Sequence, residues 1–188
     1  MKYFIALLLT VCAVSAVQAI ETICRGNTQD VVCYYQGGRF YADKARKECL
    51  YHHPGNMVAK DKTANAKNCL YRLMSDKLYK GFSINKADCI ATIFDIKTSK
   101  GNTVFAKIYP GFVIVRDKVE KATKDGSEYT SFKVTRDGIN PEDIPALFTI
   151  EGNKIYKGDS TKPEDCVLTF TGSFNSSRLL FMAIELTK

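Results

Sequence analysis

The chain has no tryptophan and only two histidines, His52 and His53, which are neighbours in a stretch that continues into Pro54-Gly55. Zinc sites need ligands that converge from spaced positions, and the cysteines form no Cys-x-x-Cys pair, so we expect no metal site. The sequence also lacks a Gly-x-Ser-x-Gly elbow and a His-Glu-x-x-His motif. Adjacent acids such as Glu164 and Asp165 would point to opposite faces of a strand. We therefore expect that the protein is not an enzyme and needs no cofactor.

An arginine-rich arm is missing too, although the chain carries 27 lysines and arginines against 20 acids and a formal net charge of +7. The bases are scattered, with acids between them, and no aromatic-basic platform stands out. A solvated surface therefore fits better than a nucleic-acid partner. A mild preference for anionic glycans stays open.

The first nineteen residues have the pattern of a secretory signal peptide. Lys2 supplies the charged start, residues 4–17 are an apolar run, and Val17-Gln18-Ala19 ends it with small residues at the spacing of a cleavage site. The apolar run is too short for a bilayer span of about 20 residues. We expect cleavage after Ala19 and a secreted, extracellular protein with no membrane span, whose residues 20–188 form one domain.

Six cysteines remain after the predicted leader, and an even number in an exported chain predicts three disulfides. They are Cys24, Cys33, Cys49, Cys69, Cys89 and Cys166. Residues 23–35 fit a short hairpin stapled by Cys24–Cys33. The other four cysteines leave three possible pairings, and the sequence does not choose between them.

Apolar spacing predicts two helices followed by sheet. Residues 41–50 and 63–77 place apolar side chains three and four residues apart, and from Ile90 onward the period is two. The predicted strands include residues 90–94, 103–108, 147–150, 154–156, 166–171 and 179–186. We find no internal repeat. The pattern predicts a single α+β domain.

The cysteine and aromatic spacing resembles the long-form C-type lectin-like family. The first half of the likeness rests on Cys24, Cys33-Tyr34, Phe40, Ala42, Ala45 and Cys49, and the second on Gly158 to Thr161, Glu164 to Val167, and Phe174 to Ser176. The resemblance implies an N-terminal disulfide hairpin, two helices, and a mostly antiparallel β-sheet with long loops.

Sugar binding in that family uses Ca²⁺, which takes six to eight oxygen ligands. Of the positions that would hold it, Asp159 keeps a carboxylate, Asn175 keeps an amide, and Thr161 replaces an amide. The usual Ca²⁺ site is therefore not expected. Asn175-Ser176-Ser177 is also an N-glycosylation sequon. As candidate ligand contacts we single out Asp159, Thr161, Asn175, Tyr109 and Tyr156.

The resemblance implies a secreted, non-catalytic binding protein that recognises an extracellular glycan or protein partner through residues 107–157, in a host-defence setting. Two alternatives stay open. One is a secreted β-barrel carrier of a small apolar ligand, with the strands from Ile90 forming the barrel. The other is a disulfide-stabilised inhibitor or effector.

Overall fold

A computed structural model describes residues 19–60, 63–97, 103–111, 114–124, 127–135 and 144–188. Most of the predicted signal peptide, with Cys12, lies outside these residues. The described residues form fourteen β-strands, two short 3₁₀ turns at Lys86–Asp88 and Pro163–Asp165, and one α-helix. The elements are β1 (Glu21–Arg25), β2 (Val31–Gln36), β3 (Arg39–Tyr41), β4 (Cys49–His52), β5 (Met57–Ala59), β6 (Cys69–Met74), β7 (Lys77–Lys80), β8 (Cys89–Lys97), β9 (Thr103–Pro110), β10 (Ile114–Lys124), β11 (Ser127–Thr135), β12 (Phe148–Glu151), β13 (Lys154–Lys157), β14 (Cys166–Phe170) and α1 (Ser176–Glu185).

Twelve of the strands form one closed antiparallel barrel in the order β1-β14-β13-β12-β9-β8-β7-β6-β5-β4-β3-β2. Ile23 on β1 closes it, because this residue pairs with Cys33 on β2 and with Phe170 on β14. Closure removes the unpaired edges that an open sheet exposes. The strands β10 and β11 pair only with each other, from Ile114 opposite Thr135 to Lys124 opposite Ser127.

The predicted α+β fold is therefore wrong. Residues 42–48 are a loop in which the Asp43 carboxylate accepts hydrogen bonds from the backbone N–H groups of Lys47 and Glu48, and Arg46 is left-handed at φ 62°. Residues 63–77 contain a second loop followed by β6. Short apolar runs fit a strand as well as a helix, and here barrel packing decided between them. The predicted strand at residues 179–186 is also wrong, since α1 lies there.

The barrel is built from a repeated hairpin that the sequence patterns did not indicate. Cys49, Cys69, Cys89 and Cys166 each begin a strand, and a β-bulge on that same strand follows at once. Each thiol also donates to the carbonyl two residues further on, at 3.0–3.6 Å. Four hairpin turns place a left-handed residue at the same point, namely Gly37, Gly55, Ser75 and Gly152, and Gly172 is left-handed where the chain leaves β14 for α1. The barrel therefore has a hairpin-turn end, and an opposite end formed by the loops that connect the hairpins.

The repeat also explains where the cysteines lie. Cys49, Cys69 and Cys89 stand on β4, β6 and β8, with a whole strand between each pair. Two strand spacings are about 9–10 Å, beyond the roughly 7 Å between Cα atoms that a disulfide spans. No disulfide joins the six described cysteines in this structure, so the predicted disulfides are not present in it. Cys24 and Cys33 do lie on the neighbouring strands β1 and β2.

The helix α1 fills the interior of the barrel. Its residues Leu179 to Ala183 are all buried, and five consecutive residues cover more than one turn, so every face of the helix is enclosed. The ring of Phe181 lies 5.0 Å from Phe40, 5.2 Å from Tyr51 and 6.2 Å from Tyr71, on three different strands. At the start of the helix Phe174 packs against Tyr35 and Phe170 at 5.1 and 5.3 Å.

Polar groups fix the C-terminal end of α1. The Glu185 carboxylate accepts hydrogen bonds from the Tyr51 and Tyr71 hydroxyls at 3.0 and 2.6 Å, and the Lys188 ammonium also donates to it. Burial alone would raise the pKa of Glu185, but the bonds from Lys188, Tyr71 and Tyr51 outweigh it and hold the pKa below its usual value. The helix is thus held to the wall of the barrel at this end.

Candidate functional site

The residues predicted to contact a ligand do not all lie at one end of the barrel. Asp159 follows β13 at the connecting-loop end, with Thr161 exposed in the same loop. Asn175 follows β14 at the hairpin-turn end and caps α1, accepting from the Arg178 N–H at 3.0 Å. The length of β14 separates the two groups. Asn175 is exposed, and its glycosylation stays a prediction.

Asp159 has a structural task in its loop. Its carboxylate accepts from the backbone N–H of Ala146 at 3.0 Å and forms an ion pair with Lys107. Burial tends to raise the pKa of Asp159, but the bonds from Lys107 and Ala146 lower it overall. Asp159 therefore ties the segment before β12 to β9.

The two predicted tyrosines are buried. Tyr109 packs in a small cluster with Phe94, Ile144 and Ala146, its ring 5.7 Å from that of Phe94. Tyr156 is buried on β13. Burial raises the pKa of both phenols. Tyr109 therefore takes part in packing, and ligand contact by either ring stays a prediction.

A polar cavity lies instead at the hairpin-turn end, where α1 enters the barrel. Its volume is about 460 Å³. It is lined by Ala19, Glu21, Tyr35, Gln36, Gly37, Gly38, Ser173 and Arg178. The lining comes from the start of β1, the β2–β3 turn and the segment that leads into α1, so barrel closure and the entry of the helix create the cavity together.

The β2–β3 turn keeps one rim of the cavity free of side chains. Gly37 and Gly38 both have positive φ, 57° and 81°, as in the two-residue turns that suit β-hairpins. A Cβ on Gly38 would lie only 3.2 Å from the carbonyl oxygen of His53. Glycine is therefore required at residue 38, both for its backbone conformation and for this close approach.

Arg178 is the main cationic group of the cavity. It stands in the first turn of α1, and its guanidinium lies over the Tyr35 ring, 5.2 Å from the centroid. Its Nε is buried away from the accessible space of the cavity and has no hydrogen-bond partner. Arg178 nevertheless lines the cavity, and its positive charge would attract an anionic group there.

Glu21 brings a carboxylate to the same cavity. It accepts a hydrogen bond from the Thr171 hydroxyl at 3.2 Å. Gly172 leaves room for it, because a Cβ on residue 172 would fall 2.0 Å from a Glu21 carboxylate oxygen. An acid and a base thus line one small cavity without forming an ion pair with each other.

His53 lies beside this cavity, inside the barrel. It is 4% exposed, and neither ring nitrogen has a hydrogen-bond partner. Its backbone N–H donates to the Gly38 carbonyl at 2.7 Å. Burial, followed by the charges of Arg178 and His52, lowers the pKa of His53 to about 4. The imidazole is therefore neutral near pH 7.

The sequence patterns indicated neither His53 nor Arg178 as a site residue. The hairpin repeat would have pointed to His53. It stands two residues before a left-handed turn residue, where other hairpins bury Tyr35, Leu73 and Ile150, and where Phe170 is buried before the turn into α1. A histidine at a position otherwise given to large apolar or aromatic side chains marks this end of the interior as unusual.

Among the described residues, no group of three or more histidine, cysteine or acidic side chains is placed to hold a metal ion. Within the same residues, no helix combines the length and apolarity needed to cross a bilayer. No protein-family model matches the chain, and no curated protein or solved structure is significantly similar to it. The resemblance to C-type lectin-like domains therefore gains no support from a relative.

Proposed function

We propose that this is an exported, non-catalytic binding protein that takes a small organic anion in the cavity beside Arg178. The observation that carries the proposal is the positively charged side chain of Arg178 in the lining of a cavity of about 460 Å³. Cavities of this size accommodate small ligands. Export rests on the leader-like residues 1–19.

The barrel predicted for the alternative function is present, although it already begins at β1 rather than at Ile90. An apolar cargo inside it would need the space that α1 occupies, since Leu179 to Ala183 and the inward strand residues pack together there. The cavity at the end of the barrel is lined largely by polar groups, including Glu21, Gln36 and Arg178. A polar ligand therefore suits this barrel better than an apolar one.

Arg178 and Glu21 bring opposite charges to the cavity, and together they limit the class of ligand that it can bind. A guanidinium binds a carboxylate through two parallel hydrogen bonds. Glu21 can accept from an ammonium or hydroxyl group on the same molecule. We therefore propose a small amino or hydroxy carboxylate, with its carboxylate on Arg178.

Calorimetric titration of the full chain with a set of small carboxylates, amino acids and amines tests this proposal. We expect carboxylates with a second polar group to bind and simple amines not to bind. Arg178→Gln should weaken binding by about tenfold to a hundredfold, the value of a charge-assisted hydrogen bond. Arg25→Gln is the matched control, because this exposed arginine pairs with Asp30 at the opposite end of the barrel. Equal affinity in both variants, or no carboxylate binding at all, contradicts the proposal.

A further inference from the structure

Two of the loops that connect the hairpins have the same pattern of hydrogen bonds. In residues 81–88 the Ser83 hydroxyl donates to Asp88 at 2.5 Å and accepts from the Asn85 N–H at 3.1 Å. In residues 158–165 Ser160 makes the same bonds with Asp165 and Lys162, again at 2.5 and 3.1 Å. Both loops open on a glycine with positive φ and close on a 3₁₀ turn before a cysteine.

The two loops differ in the side chains that they present. Phe82 and Ile84 are 44% and 55% exposed. The corresponding residues of the other loop are Asp159 and Thr161. Because a loop with the same hydrogen bonds carries an aspartate and a threonine at these positions, the loop does not need apolar residues in order to fold. Phe82 and Ile84 therefore form a small exposed apolar patch that the conformation of the loop does not require.

The surroundings of this tip are basic. Residues 60–88 hold seven of the chain's lysines and arginines against three acids, a net +4 out of +7 for the whole chain. Lys60, Lys67, Lys80 and Lys86 are exposed near the connecting-loop end of β5 to β8. The guanidinium of Arg72 lies over the Phe82 ring, 4.4 Å from its centroid.

One acid and one base of this stretch lie elsewhere. Asp76 forms an ion pair with Lys77 in the β6–β7 turn, at the other end of the barrel. Asp88 stays within the loop, where it accepts the hydrogen bond of Ser83. The tip therefore combines apolar side chains with a surround in which positive charges outnumber negative ones.

We propose that Phe82 and Ile84 insert into the interface of an anionic lipid membrane while the surrounding lysines contact its headgroups. Anionic leaflets attract clustered bases, and lysine stems extend along apolar surface with their ammonium groups in water. Two side chains on one short loop form a much smaller patch than a standard protein–protein interface. A lipid surface needs no shaped partner pocket, so it fits this tip better.

Vesicle co-sedimentation of residues 20–188, the chain expected after cleavage of the leader, tests the proposal, with phosphatidylcholine vesicles that contain or lack phosphatidylserine. The test variant is Phe82→Asp with Ile84→Thr, which copies the residues of the sister loop. It should keep its thermal unfolding transition and bind anionic vesicles at least about tenfold more weakly, because it loses apolar burial and gains a negative charge. Val31→Thr is the control, since Val31 is exposed on β2, across the barrel from β7, and should bind like the unmodified chain.

Three results overturn the proposal: no binding to anionic vesicles, equal binding to vesicles without phosphatidylserine, or unchanged binding by the double variant. The unmodified chain could also fail to bind vesicles and instead bind a protein that the double variant no longer binds. That result overturns the proposal and assigns the tip to protein recognition. The membrane proposal does not depend on the cavity, which lies at the other end of the barrel. Arg178→Gln should therefore leave vesicle binding unchanged.

Discussion

His53 should make the stability of the barrel depend on pH between about 4 and 6.5. Its pKa falls from 6.5 to about 4 in the folded protein, chiefly through burial. Between these values the unfolded chain binds a proton that the folded barrel does not accept. The free energy of unfolding therefore decreases as the pH falls through this window, and the contribution is fully present only above pH 6.5.

The size of the effect follows from the same shift. One pKa unit corresponds to about 1.4 kcal/mol, so neutral burial of His53 makes the barrel about 3 kcal/mol less stable at about pH 4 than near neutrality. His53→Leu should abolish this part of the pH dependence, because Leu73 is buried at the matching position of the next hairpin. Near pH 7 the variant should also gain about 1–3 kcal/mol, since it removes ring nitrogens that are buried without partners.

Urea unfolding at about pH 7.5 and about pH 4.5 measures both effects. Carboxylates with lowered pKa values, such as Asp159 and Glu185, also reduce stability in acid. They are present in both proteins, so the difference between the unmodified chain and His53→Leu isolates the histidine. His52→Gln serves as the control and should keep most of the dependence, because burial is the largest cause of the lowered His53 pKa and the charge of His52 the smallest. If the unmodified chain and His53→Leu lose stability equally between the two pH values, the reasoning about His53 is wrong.

The strands were partly predictable, and the helices were not. The turn Glu151-Gly152-Asn153 correctly marked the β12–β13 hairpin, because glycine and asparagine favour the turn residues that a two-strand hairpin needs. In residues 63–77 the spacing of Leu70, Leu73 and Lys77 fits a helix equally well. Only the pairing of β6 with both β5 and β7 decides in favour of a hairpin.

The C-terminal helix was hidden for a different reason. Residues 179–183 are apolar in sequence, without the polar face that marks a helix on a protein surface. Such a run predicts a buried strand until a barrel exists to enclose a helix on every side. The candidate site was unpredictable for the same reason, because Glu21, Tyr35 and Arg178 come together only through barrel closure and the entry of α1.

Three further predictions follow from the packing and from the cavity. Phe181→Ala should destabilise the barrel by about 3–5 kcal/mol in urea unfolding, because it empties the space between Phe40 and Tyr51, and a change below about 1 kcal/mol would show that α1 does not fill the interior. Glu185→Gln should cost about 1.5–3 kcal/mol in the same assay, since the carboxylate accepts three hydrogen bonds at the end of the helix. Binding of a small carboxylate should raise the pKa of His53, measured by NMR titration of the imidazole. The positive charge of Arg178 helps to keep that pKa low, and a carboxylate bound to the guanidinium offsets this charge and favours protonation of the ring. Arg178→Gln should raise the pKa without ligand and remove its response to ligand. A carboxylate that binds without moving the titration of His53 must lie elsewhere, because Arg178 contributes more than His52 to the charges that depress this pKa.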